Sequence, residues 1–138
     1  MEELVRNLQL APHPEGGFFR ETYRSTASTA IFYLLARGQV SRLHRIHADE
    51  VWHFYRGEPL EVIELQRGSP AKITLVSPEN PQHVVAAGTW FGSRPTGAWS
   101  LVGCTVAPAF EFSKFELGKR EALLAEFPHA RDIIEALT

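Results

Sequence analysis

The sequence predicts an all-β domain, and three observations predict it. From Gly17 to about Glu116, short segments rich in Val, Ile, Phe, Tyr, Thr and Trp recur at spacings of about 8–12 residues. Turn signals such as "ARG", "RGEP", "QRGSP", "SPENP" and "SRPTG" separate them. No long helical pattern lies between them, so the strands are expected to close as a sandwich or barrel, and a jelly roll folds such strands into two facing sheets.

The chain opens with a short helix, because Leu4, Val5, Leu8 and, less regularly, Leu10 form one stripe within Glu2–Leu10. "APHPEGG" then stops it. Ten strands are expected at Phe18–Arg24, Ala30–Ala36, Ser41–Ile46, Glu50–Tyr55, Leu60–Leu65, Ala71–Val76, His83–Ala86, Thr89–Ser93, Ala98–Cys104 and Phe110–Phe115. Helix returns only at the end. "KREALLAEF" sets Leu123, Leu124 and Phe127 on one side, Pro128 interrupts, and "HARDIIEAL" continues with Ile133, Ile134 and Leu137. These terminal helices are expected to act as lids or braces on the barrel.

One domain spanning 1–138 is expected, since 138 residues, 44% of them hydrophobic, suffice for one well-buried core and leave no linker or repeat for a second. The balance of 14 basic against 16 acidic residues, without a basic cluster, offers no footprint for nucleic acid or an anionic membrane. No apolar run is long enough to span a bilayer. "MEELVRNLQL" lacks the basic segment and apolar run of a secretory signal, and the single Cys104 cannot form an internal disulfide. A cytoplasmic location follows as the expectation.

The chemistry concentrates in "SRLHRIHADEVWHFYRG", Ser41 to Gly57. Alternation along a strand sets Arg42, His44 and Ile46 on one face against Leu43, Arg45 and His47. In the next strand Glu50, Trp52 and Phe54 oppose Val51, His53 and Tyr55. Inward-facing His44 and Glu50 would give the interior an imidazole, a carboxylate and large aromatics, a ligand pocket. Both faces carry apolar residues, so alternation alone leaves the inward parity open.

Gly38, five residues, His44, then Glu50, six residues and Gly57 resemble the first signature of the cupin superfamily of small β-barrels. "VVAAGTWF" resembles the second, in which a Pro-x-Gly turn precedes a histidine. More narrowly, "HPEGGFFRETYRS", "SRLHRIHADEVWHFYRGEPLEV", "AAGTWFGS" and "LVGCTVAPAFEFSKFEL" resemble the uncharacterised single-domain cupin 5 family, over nearly the whole chain. The resemblance implies a double-stranded β-helix jelly-roll barrel, usually a homodimer, with a pocket inside the barrel that places His44 and Glu50 in it. The family pattern around "VAPAFEF" has glycine where this chain has Ala109.

The same resemblance bears on metal. Cupin metal sites use two histidines two residues apart, a glutamate and a third histidine from the second signature. Here the partner of His44 is Arg42 or Ile46, and the second-signature histidine falls at Phe91. Two ligands fall short of the three that a catalytic zinc or facial iron site needs. No cofactor is therefore expected. A strand bulge at Ala48–Asp49 would be required to turn His47 inward and assemble His44, His47 and Glu50 as a metal set.

Two functions are weighed on these residues. The first is a metal-independent isomerase or epimerase acting on a sugar or similar small polar metabolite. His44 is its base, assisted by Glu50; Arg42 or Arg20 holds an anionic group, and Trp52 or Trp90 packs on the substrate. The second is a non-catalytic small-ligand binder that has lost the metal triad. Arg20 and Glu21, after the Gly16–Gly17 turn, lie on a first strand that in cupin dimers pairs across the interface, so either is a candidate for a neighbouring pocket; a solvated edge-strand charge pair is the structural alternative. Trp52, Trp90 and Trp99 also read as core filling. Cys104 reads as a buried inert thiol, and His13, His83 and His129 receive no role.

Overall fold

The computed structural model describes Met1–Thr138. Helix α1 (Glu2–Asn7) is followed by strands β1 (Ala11–Pro12), β2 (Phe18–Arg24), β3 (Thr29–Ala36), β4 (Ser41–Arg45), β5 (Asp49–Gly57), β6 (Leu60–Glu64), β7 (Lys72–Val76), β8 (Gln82–Val85), β9 (Phe91–Pro95), β10 (Trp99–Ala107) and β11 (Glu116–Leu117). Helices α2 (Arg120–Glu126) and α3 (Arg131–Ala136) close the chain, joined by a 3-10 turn at Pro128–Ala130. Two antiparallel sheets, β1-β2-β3-β10-β5-β8 and β11-β4-β9-β6-β7, face each other as a jelly roll. No helix is long and apolar enough to cross a membrane.

The expected strands are present with shifted ends, except Phe110–Phe115. That segment is irregular and holds a 3-10 turn at Phe112–Lys114. Aromatic spacing there looks like strand alternation, but the rings of Phe110, Phe112 and Phe115 pack on one another rather than across a neighbouring strand. The backbone turns locally, with Phe115 N–H on the Phe112 carbonyl. The first helix also ends sooner than its apolar stripe suggests. Gln9 takes a positive φ of 54° and drops Leu10 into a small core with Leu34 and Leu101.

Alternation resolves the parity. Tyr33, Leu35, Trp52, Leu60, Val62 and Phe91 meet between the sheets as the main core. Leu43 and Ile63 point outward and are fully buried by Leu123, Phe127, Ile134 and Leu137. The terminal helices are thus braces on the outer face of the smaller sheet, each buried Leu or Ile worth about 1.5–3 kcal/mol of removed apolar surface. Backbone bonds finish the join: Leu43 N–H donates to the Leu137 carbonyl, and Gly118 N–H donates to that of Leu43. Gly92 permits this closeness, because a Cβ there would sit 2.6 Å from the Ser41 carbonyl oxygen.

Candidate functional site

A cavity of about 260 Å³ opens between the sheets at the β2 and β4 side. Its inner walls carry His44, Glu50, Trp52, Tyr33, Glu15 and Cys104, and its mouth carries Glu21, Arg24 and Phe112. From His44 into β5 the inward positions follow from alternation. Ile46, Ala48 and Glu50 are buried while Asp49 is exposed, so the chain keeps its period from β4 into β5 without a bulge.

His44 is hydrogen-bonded at one ring nitrogen and lies beside a carboxylate at the other. Nδ1 donates to the Arg42 carbonyl at 2.6 Å, and Nε2 lies 3.3 Å from Glu15 Oε2. Phe115 stacks on the ring at 5.3 Å, and Phe91 lies 4.2 Å away on centroids. Ser41 Oγ donates to the other Glu15 oxygen at 2.8 Å. Glu15 reaches this place because Gly16 has a φ of 116°, and a Cβ there would overlap the Val40 carbonyl oxygen. Tyr33 Oη donates to the Gly16 carbonyl at 2.6 Å, and Arg42 N–H donates to that of Glu15 at 3.2 Å. The turn is tied down on both sides.

Glu50 contrasts with this pair. Its side chain is buried and makes no hydrogen bond to another protein group, and burial, then the Glu15 charge, raises its pKa to about 8. It is therefore held as an acid at neutral pH. His13 accepts the Glu15 N–H at Nδ1, 3.1 Å away, and burial lowers its pKa against the opposing pull of Glu15. Burial raises the Tyr33 hydroxyl and the Cys104 thiol well above their usual values.

The expected site residues divide. His44, Glu50, Trp52 and Glu21 line the cavity. Arg42 does not share the His44 face as alternation proposes. The β4–β9 pairing shifts between Ser41 and His44, so Ser41 takes the inner place and the Arg42 guanidinium reaches out to the Pro14 carbonyl at 2.9 Å. Arg20 faces outward as well, its guanidinium over Phe32 and 3.4 Å from Gln9 Oε1. Trp90 packs against the helical braces beneath Arg45, 4.6 Å from its centroid, and is no part of the cavity wall.

His47 points away. Its Nε2 is 3.9 Å from Glu111 in a separate surface cleft, since the unbroken alternation that turns Ile46 in turns His47 out. Where a cupin metal site has its further histidines this chain has Ile46 and Phe91, which offer no lone pair. No group of three or more His, Cys, Asp or Glu side chains is placed to hold a metal ion. The donor set does not fit the cupin metal.

Glu15 and Ser41 went unmarked in sequence reasoning. The signal lay in "HPEGG": a carboxylate before two glycines, in a loop whose destination no local pattern reveals. His13 and Cys104, assigned no role, also line the cavity.

The sequence matches the Cupin_5 family model, described as "Cupin superfamily (DUF985)", over residues 2–118. A hypothetical protein from Leishmania major is similar in structure with a TM-score of 0.92 and 27% identity, over 99% of this chain and 97% of that one. A protein from Shewanella oneidensis gives 0.87 and 36% identity, over 99% and 96%. Oxalate decarboxylase from Bacillus subtilis shares the fold at a TM-score of 0.66 and 14% identity, over 92% of this chain and 36% of that enzyme. No curated protein matches this chain.

Proposed function

This chain belongs to the Cupin_5 family of the cupin superfamily, and we propose that its barrel binds a small polar metabolite and moves a proton on it without a metal, as a sugar isomerase or epimerase does. The observation that carries the reading is one cavity holding two unlike proton sites. His44 Nε2 faces Glu15 at 3.3 Å, and Glu50 presents an unpartnered acid. An imidazole beside a carboxylate and a carboxyl kept protonated by burial put a base and an acid in one place.

In this scheme His44 Nε2 takes a proton from the carbon beside a substrate carbonyl. The imidazolium so formed keeps Nδ1–H on the Arg42 carbonyl and has Glu15 as counter-charge. Glu50 gives its proton to the carbonyl oxygen, leaving an enediol. The reverse transfers, to the neighbouring carbon or to the other face, complete an isomerisation or an epimerisation. Glu15 replaces Glu50 as the partner of His44, and Glu50 becomes the acid rather than an assistant.

The test is deuterium uptake from D2O at the carbon beside the carbonyl, followed by NMR across a panel of aldoses and ketoses. Wild type is expected to exchange at least one of them, and His44→Ala and Glu50→Gln to lower the rate about 10²-fold or more. No exchange of any member by wild type would refute the catalytic reading. The rings of Phe19, Tyr33, Trp52 and Phe115 in the wall favour the alternative, a binder that has kept the pocket without chemistry.

We also read the working unit as a homodimer. Tyr55, beside Phe32, and Val84 on the edge strand β8 are 47% and 54% exposed on the outer face of the larger sheet. Light scattering after gel filtration reads the mass directly.

A further inference from the structure

The charge of the ligand can be read from where the cations of this chain point. Of its Lys and Arg residues only Arg24 reaches the cavity, and that guanidinium is already committed, to Glu21 at 2.7 Å and to the Phe110 carbonyl at 3.0 Å. Arg20 and Arg42, the arginines that would have held an anion, face outward. Acids, by contrast, face the cavity from three elements: Glu15 from its turn, Glu21 from β2 and Glu50 from β5. We propose that the cavity selects an uncharged hydroxy-carbonyl compound with a flat apolar body and rejects the phosphate ester or carboxylate of the same skeleton. This deepens the proton-transfer reading and rests on it in taking the cavity as the ligand site.

Charge and desolvation argue together. A phosphate or carboxylate entering here would leave water for a wall with two buried carboxyls and no free cation, which costs more than any neutral oxygen does. A neutral carbonyl meets the reverse situation. Glu50 supplies an O–H donor with no protein acceptor to compete for it, and the rings of Phe19, Trp52 and Phe115 supply apolar faces.

The donor has a pH limit. Glu50 shares the cavity with His13 and Glu15 from the turn, His44 from β4, Tyr33 from β3 and Cys104 from β10, with Glu21 and Arg24 at the mouth. Its partner on β8 is Val85, which brings no charge. His13 is depressed by burial, and Tyr33 and Cys104 are raised by it, so all three stay neutral while Glu50 ionises near pH 8. Above that pH the donor is lost and a second negative charge appears, so affinity for a neutral carbonyl falls.

The probes are 2-hydroxyacetophenone, its phosphate monoester and mandelate, titrated into the full chain by tryptophan fluorescence, with Trp52 in the cavity wall as reporter. The hydroxyketone is expected to bind at least about tenfold tighter than either anion. Its affinity should fall as pH rises through about 8. Glu50→Gln, whose amide keeps an N–H donor, should bind the ketone and lose that pH dependence. Equal or tighter binding of either anion, no ketone binding, or affinity that climbs through the same pH would overturn the proposal. Deuterium exchange at the ketone's hydroxymethyl carbon is read in the same samples. Selective binding without exchange there keeps the charge rule and counts against proton transfer; exchange with anions preferred does the opposite.

Discussion

Glu15 and His44 meet at 3.3 Å inside the barrel although one sits on a turn before the first long strand and the other on β4. The contact carries the acid–base reading, because it gives the imidazolium a buried counter-charge. Glu15→Gln keeps the shape and removes the charge. It should slow deuterium exchange about 10²-fold with little change in ligand affinity, and Ser41→Ala, which loosens only one Glu15 oxygen, should cost less. Exchange rates and binding constants measured on both variants check this; a loss confined to affinity would assign Glu15 to binding alone.

Stability should carry the signature of Glu50. Its folded pKa, about 8, lies above its ordinary value of 4.5, so the folded state holds a proton that the unfolded state has released in between. The stabilising contribution is full below about pH 4.5 and is lost progressively as pH rises toward 8. Glu50→Gln removes this slope. Unfolding free energies across that range should converge at the acid end and favour the variant by up to about 5 kcal/mol at the basic end. Parallel curves for the two proteins would contradict the assignment.

Metal removal should change nothing. Chelator treatment is expected to leave the melting temperature of wild type where it was, with elemental analysis showing no stoichiometric iron, zinc, nickel or manganese. Restoring histidine at the two apolar positions, Ile46→His with Phe91→His, should create a metal-dependent upward shift in melting temperature through His44 and Glu50. A chelator-sensitive wild type would defeat the metal-free reading.

Gly16→Ala tests how Glu15 is delivered. The residue combines a φ of 116° with contact against the Val40 carbonyl, so a methyl group must displace the turn. A loss of about 1–3 kcal/mol is expected, with the exchange rate falling further than in an equally destabilised variant elsewhere. Urea denaturation and exchange rate, read together, separate the two effects.

Ile134→Ala supplies that comparison. Ile134 is fully buried where α3 braces the outer face of the smaller sheet, away from the cavity. Truncation should cost about 2–5 kcal/mol by transfer and cavity terms. Ligand affinity, measured well below the melting temperature, should hold.

Sequence alone carried the all-β class, most strand positions, the terminal helices and the family, because turn residues and hydrophobic period are local properties of the chain. It also marked His44, Glu50 and Trp52. Three things depended on the assembled barrel. The shift between Ser41 and His44 in the β4–β9 pairing buried Ser41 against Glu15 and turned Arg42 out. The outer brace of α2 and α3 gave Leu43 a buried place on the far face, which settled the parity that two apolar faces had left open. A turn held by Tyr33 and Arg42 brought Glu15 to His44. Alternation is fixed residue by residue, whereas a pairing register or the destination of a loop is fixed by partners distant in the chain. The interior chemistry of this protein is of the second kind.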